Sequence, residues 1–210
     1  MVHIRHMGNS EITRITEIDR SEHVTLAYRV RDGQLEERHV HWHVPRWSDE
    51  ENGEHSVQAK VTALSPILDQ GGVMWGAFDE DRLVGVAILR PALTEDMAQL
   101  AFLHVSNGYR RQGIATRLTG KASQLASEMG AQRLYVSATE SESAVGFYRS
   151  QGFELAEQVH PELCALEPDD IHMIKTLRPA SRTCHKNVRK FSRYRHDKVM
   201  QPDAGWPKIE

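Results

Sequence analysis

Apolar positions along the chain change their spacing several times, and each change predicts an element. Glu11 to Asp19 shows a short apolar alternation expected of an edge strand. Ser21-Glu22 then reads as a cap opening a short helix through Leu26 and Tyr28, broken by Asp32-Gly33. Leu35 to Val44 alternates strictly, with Val40, Trp42 and Val44 on one face and His39, His41 and His43 on the other, as in a half-buried strand. A polar loop from Ser48 to Glu54 precedes a predicted helix over Val57 to Leu68. Pro66 limits its regularity and Gly71-Gly72 ends it.

The second half is patterned more sharply. Val73 to Phe78 and Leu83 to Leu89 are apolar runs around the polar turn Asp79-Glu80-Asp81-Arg82, predicting an antiparallel hairpin. Leu100 to Val105 is another strand, and a turn through Asn107-Gly108 leads to Ile114, Leu118, Ala122, Leu125 and Met129, one helical face stopped by Gly130. Leu134 to Ala138 reads as a strand. Ser143 to Ser150 reads as a helix with Ala144, Phe147 and Tyr148 inward and Gly152 at its end. Phe153 to Val159 and Ile171 to Leu177 close the sheet. Strands interspersed with helices predict an α/β (α+β) fold built on one mixed sheet.

Composition narrows this reading. With 210 residues, 40% hydrophobic and 26% charged, the chain supports one substantial core with extensions. A net charge of -3 demands neither nucleic acid nor an anionic membrane as partner. No apolar run reaches the roughly 20 residues that span a bilayer, and the N-terminus lacks the order of a secretion signal, so a cytoplasmic protein is expected. Cys164 and Cys184 are too few and too isolated for a disulfide framework or a zinc knuckle. Residues 1–10 are expected to be a disordered extension, with Met7 an equally good natural start. After Pro179 lysine, arginine and histidine accumulate, so the domain is expected to span 11–177 and 178–210 to be a basic extension. That tail is read as solvated or as an arm between two copies in a homodimer, with nucleic acid the less favoured partner. The alternating histidines suggest metal ligands only weakly, since no carboxylate or cysteine completes a shell, and no metal site is predicted.

The chemistry concentrates in Arg110-Arg111-Gln112-Gly113-Ile114-Ala115. A strand ending at Val105, a basic turn containing glycine and a helix starting near Ile114 present unpaired N–H groups to an anion, for which phosphate is the natural guest. Gly113 permits close backbone approach, Ala115 keeps the second contact small, and Arg110 and Arg111 add charge.

These residues resemble the signature of the GNAT N-acetyltransferase superfamily: Gln or Arg, two residues, Gly, one residue, then Gly or Ala, here Arg110, Gly113 and Ala115. The likeness extends upstream through Leu103, Val105 and Tyr109. Downstream, Ala144, Phe147, Tyr148, Gly152 and Phe153 look like a later family block, so roughly Val73 to Leu177 is covered, with 11–72 as the variable substrate side. The resemblance implies a mostly antiparallel mixed sheet flanked by helices and splayed between its fourth and fifth core strands. It also implies acetyl-coenzyme A as cosubstrate and an amine that attacks the thioester directly. On this reading the pantetheine lies along Leu103, His104 and Val105, the pyrophosphate rests on N–H groups from Arg111 to Thr116, and Tyr148 hydrogen-bonds the sulfur and protonates the thiolate. A small-molecule amine is the expected acceptor, with a protein amine second and an acyl-coenzyme A sensor as the non-catalytic alternative.

Two departures stand out. Ser141 occupies the place where many members carry asparagine, and either reaches the cofactor near Ala144 or caps the helix. Where some members carry a base, the matching parity offers Gln99 and Ala101, neither of which accepts a proton, while His104 alternates to the other face. The base is then a water on Gln99 or a carboxylate such as Glu17, Asp19 or Glu22.

Overall fold

A computed structural model describes residues 1–48, 53 and 55–178. Its elements in chain order are β1 (His3–Met7), a 3-10 helix (Asn9–Glu17), β2 (Glu22–Arg31), β3 (Gln34–Val44), α1 (Val57–Asp69), β4 (Val73–Asp79), β5 (Arg82–Arg90), β6 (Met97–Val105), a short 3-10 turn (Asn107–Tyr109), α2 (Ile114–Glu128), β7 (Arg133–Ala138), α3 (Glu142–Ser150), β8 (Glu154–Leu155), α4 (Pro161–Leu166) and β9 (Ile171–Thr176). Seven strands form one sheet in the order β1-β4-β5-β6-β7-β9-β8, and β2-β3 is a separate hairpin. Among the described strands of this sheet β6 and β7 pair in parallel and the other neighbours pair antiparallel.

The central strands are apolar on both faces because helices cover both. On one face Leu118, Ala122 and Ala126 of α2 and Val145 and Tyr148 of α3 pack on Ala87, Leu89, Leu100 and Val136. On the other, Ile12, Ile15, Leu64 and Leu68 pack on Met74, Phe78, Val86 and Ile88. Gly76 of β4 shows how closely this second layer is fitted. A Cβ there would stand 2.5 Å from both Met7 Sδ and Phe78 Cε2 and 2.8 Å from Leu83 Cδ1. Gly76→Ala is therefore expected to lower stability by about 1–3 kcal/mol, read as a lower denaturant midpoint at unchanged slope.

Four local expectations are corrected. Residues 1–10 are not a loose extension: β1 adds to the sheet edge, with Arg5 opposite Gly76 and Met7 buried. Glu11 to Asp19 is not a strand, because Ile12, Ile15 and Ile18 recur every third residue and all point into the core, the period of a 3-10 helix. Glu22 to Arg31 is a strand rather than a helix, paired along its length with β3. Phe153 to Val159 gives only the two-residue β8. The short helix α4 follows, and its Leu163 packs with Leu93, Met97 and Tyr135. The hairpin 73–89, the helix from Ile114 and the strand 134–138 fall where the pattern predicts. No helix among the described residues is long and apolar enough to cross a membrane. The basic tail and Cys184 lie outside the described residues.

Candidate functional site

The sheet opens at one place. β6 and β7 pair only at Met97↔Arg133, Ala98↔Leu134 and Gln99↔Tyr135. Beyond that, β6 stays bonded to β5 as far as Val105↔Gly85, and β7 stays bonded to β9 as far as Ala138↔Ile171. The facing edges, Leu100 to Val105 and Val136 to Ala138, thus diverge with ladder groups turned toward each other and unpaired. A bulge explains the divergence: Ile88 pairs with Phe102 and Leu89 with Leu100, leaving Ala101 as an extra residue that bends β6. Leu103, His104 and Val105 lie on this free edge and are half-buried. Such an edge inside a sheet offers backbone donors and acceptors to an extended ligand.

The same bulge corrects the expected facing of side chains. Ala98 and Leu100 before it share a cluster with Leu103 and Val105 after it, so the parity flips. Phe102 lies in the opposite cluster, and His104 packs against Phe102 at 4.7 Å and edge-on to Trp47 at 5.7 Å between ring centroids. His104 therefore shares the face of Gln99 rather than opposing it. Burial, reinforced by Arg20, Lys60 and Arg110, lowers its pKa to about 3, so the imidazole is neutral.

At the end of β6 the chain turns into α2. Arg111 (φ 63°) and Gly113 (φ 74°) both take the left-handed conformation, and Gly113 is the N-cap residue of α2. The first backbone bond of the helix runs from Arg117 N–H to Gly113 C=O at 3.0 Å, so the N–H groups of Ile114, Ala115 and Thr116 have no partner within the helix. No acidic residue lies in its first turn, which leaves the positive end of the helix dipole uncompensated. Arg111, Gln112 and Gly113 are exposed there, while Ile114 is buried and fixes the turn against Gly85. The site fits a pyrophosphate by these donors. Arg110 departs from expectation: its guanidinium pairs with Glu22 at 3.0 Å and donates to Arg20 C=O and Val105 C=O, so it pins the N-terminal segment to the loop.

Across the gap, α3 starts at Ser141, whose hydroxyl accepts from Ala144 N–H at 3.4 Å. Ser141 thus caps the helix, and its backbone bridges to Ala27 of the hairpin. Tyr28 N–H donates to Glu140 C=O at 2.7 Å and Arg38 pairs with the Glu140 carboxylate at 3.3 Å, so the β2-β3 hairpin is anchored beside this end of α3. The inward face of α3 is Val145 and Tyr148, with Ala144 and Phe147 half-buried. Tyr148 is 7% exposed and wedged edge-on between Phe147 and Phe153. Burial, with a contribution from the Asp170 charge, pushes its phenol above the ordinary value, and its hydroxyl has no hydrogen-bond partner among the described residues.

The three carboxylates considered as bases are engaged. Glu17 accepts from Arg14 and from Leu83 N–H, Asp19 from Ser21 and Arg46, and Glu22 is paired with Arg110. Gln99 is buried, with its Oε1 unpartnered. His39, His41 and His43 are exposed, and His43 lies 4.6 Å from His23. Among the described residues no group of three or more His, Cys, Asp or Glu is placed to hold a metal. Sequence reasoning missed Asp170, which precedes the β9 residue paired with the end of β7, and Lys60, whose charge acts on both Asp170 and His104. The acidic pair Asp169-Asp170 immediately before the last strand was the available signal.

Comparisons with known proteins agree with this geometry. Human N-acetyltransferase 8 is 32% identical over 99 residues, covering 45% of this chain and 44% of that protein. The chain spans about half the length of the curated relatives it matches. Among solved structures, nourseothricin acetyltransferase superposes with a TM-score of 0.64 at 18% identity, covering 84% of this chain and 99% of that one. A putative streptothricin acetyltransferase from Bacillus anthracis str. Ames, in complex with acetyl coenzyme A, gives 0.61 at 17% identity, with 86% and 99% covered. At those identities the likeness concerns the fold. The profile of the acetyltransferase (GNAT) family matches residues 31–153, more than half of the sequence, and the chain belongs to that family.

Proposed function

We propose that this protein transfers the acetyl group of acetyl-coenzyme A to a primary amine, by direct attack and without a covalent enzyme intermediate. The observation that carries the reading is a juxtaposition: an opened strand edge, an anion cradle at its end and a buried, unpartnered phenol across the gap. Leu103 to Val105 would bond the pantetheine amides, the N–H groups from Arg111 to Thr116 would hold the pyrophosphate, and Ser141 with Ala144 would line the opposite wall. The cosubstrate supplies an activated acyl group and a good leaving group. Tyr148, kept protonated at neutral pH, donates a hydrogen bond and then its proton to the departing sulfur. A small-molecule acceptor is favoured because the β2-β3 hairpin is fastened beside the mouth of the gap at Glu140 and Ser141, narrowing the approach.

The test is release of free coenzyme A, followed with a thiol reagent, against a panel of amines. Acetyl-coenzyme A should also raise the melting temperature, since a ligand that binds only the folded state stabilises it by mass action. A melting shift with no release on any amine would favour the sensor alternative; no shift at all would sink the reading.

A further inference from the structure

We propose that Asp170 receives the acceptor amine and takes its proton, and that the acceptor is therefore a cationic amine entering between Asp170 and the open edge of β6. This rests on the acetyltransferase reading above and supplies the base that the sequence left unassigned. Asp170 directly precedes Ile171, whose partner is Ala138, the last residue of β7. It is therefore fixed at the mouth of the gap, half-buried, with its backbone N–H bonded to Glu167 C=O at 3.2 Å.

Four side chains lie close enough to interact with its charge. Tyr148 of α3, nine-tenths buried and without a hydrogen-bond partner, lies close enough to feel the Asp170 charge. Glu167, after α4, crowds it with like charge; Glu140, before α3, adds negative potential; Lys60 of α1 is the opposing cation and acts also on His104. Glu140 is itself balanced by Arg38 and crowded by Asp169. With Glu140 paired to Arg38, the Asp170 and Glu167 carboxylates face the single charge of Lys60, which leaves the mouth acidic, draws in an ammonium ion and repels anions.

Burial and then Glu167 raise the Asp170 carboxyl to about 7. A carboxylate titrating there is a far better acceptor near neutral pH than His104, held at about 3. The protons balance. The ammonium passes one proton to the Asp170 carboxylate, which later releases it to water. The nitrogen lone pair then forms the N–C bond as the C–S bond breaks. Tyr148 gives its proton to the sulfur, and the nitrogen's second proton restores the phenol. Because Asp170 must be ionised to accept a proton, turnover should fall as pH drops through about 7.

The test uses the full chain with spermidine, L-lysine and a short peptide bearing a free α-amine. Asp170→Asn should fold, keep its melting shift with acetyl-coenzyme A, lose turnover about 100-fold and lose the acid limb of kcat/KM. A readout independent of turnover is calorimetric titration of spermidine into the protein saturated with coenzyme A, at pH 7 in two buffers of different ionisation heat. A cation beside Asp170 favours the carboxylate, so the wild type should release protons and Asp170→Asn should not. Should Asp170→Asn fail to fold, Asp170→Glu should retain the limb at reduced turnover. An unaltered pH profile, equal proton release in Asp170→Asn, or full turnover in Asp170→Glu would overturn the assignment. A wild type that neither binds acetyl-coenzyme A nor acetylates any of the three would overturn the acetyltransferase reading and this one together; wild-type activity with an indifferent Asp170 would overturn this one alone.

Discussion

Replacing Tyr148 by phenylalanine is expected to lower turnover about ten- to a thousandfold while acetyl-coenzyme A affinity stays nearly unchanged. The reason is the timing of charge. A phenol held above its ordinary pKa by burial interacts weakly with a neutral thioester sulfur and strongly with a thiolate as it forms. The ring contributes the packing against Phe147 and Phe153, and phenylalanine keeps it. The hydroxyl has no hydrogen-bond partner among the described residues, so phenylalanine removes no bond from the folded protein. Tyr148→Phe should therefore melt at or above the wild-type temperature without ligand. Loss of turnover in a protein at least as stable cannot be ascribed to unfolding. Turnover equal to wild type would leave Tyr148 as a core aromatic only.

The parts of this molecule readable from sequence are those in which one periodicity acts alone. The β4-β5 hairpin, the α2 stripe and the turn at Gly113 are such parts, and they carry the sheet centre and the start of α2. Misreadings arose where two signals compete. In 22–31 a polar pair resembling a helix cap precedes Val24, Leu26, Tyr28 and Val30, whose alternation, strengthened by pairing with β3, prevails. The isoleucines at 12, 15 and 18 fit neither strand nor α-helix, and their period of three is decided by docking on β4 and β5. β1 has little to declare itself beyond Ile4 and Met7, one on each face of the sheet, and gains its order from pairing with β4.

The site divides in the same way. The backbone cradle follows from residue type and order, whereas the acceptor side depends on two long-range events with no local signature. One is the extra residue at Ala101, which moves His104 to the face of Gln99. The other is the return of the chain through α4 to β9, which brings Asp170 to a phenol 22 positions earlier in sequence. Arg110, read as a phosphate ligand from its place in the signature, is held by Glu22, a residue whose position depends on the inserted hairpin.

Gly113→Val is expected to abolish the melting shift that acetyl-coenzyme A produces. A ligand at a hundredfold excess over its dissociation constant stabilises the native state by about 2.7 kcal/mol, a shift of several degrees and easily read. Gly113 sits at φ 74° with nothing within 4 Å of where a Cβ would stand, so the obstacle to valine is conformational and not steric. A β-branched residue at positive φ costs roughly 1–3 kcal/mol, and the turn relieves that strain by rotating the N–H groups that precede Ile114. Valine would also place two methyl groups over donors that a phosphate must approach closely. The fold itself should persist, because the strain is smaller than the burial of Ile114, Leu118 and Ala122 that fixes α2. Gly120→Ala supplies the control. It lies on the exposed side of α2 with free space around it, so alanine should raise stability by about 0.5–1 kcal/mol and leave the ligand shift intact. A folded Gly113→Val protein that keeps the wild-type shift would place the pyrophosphate away from the start of α2.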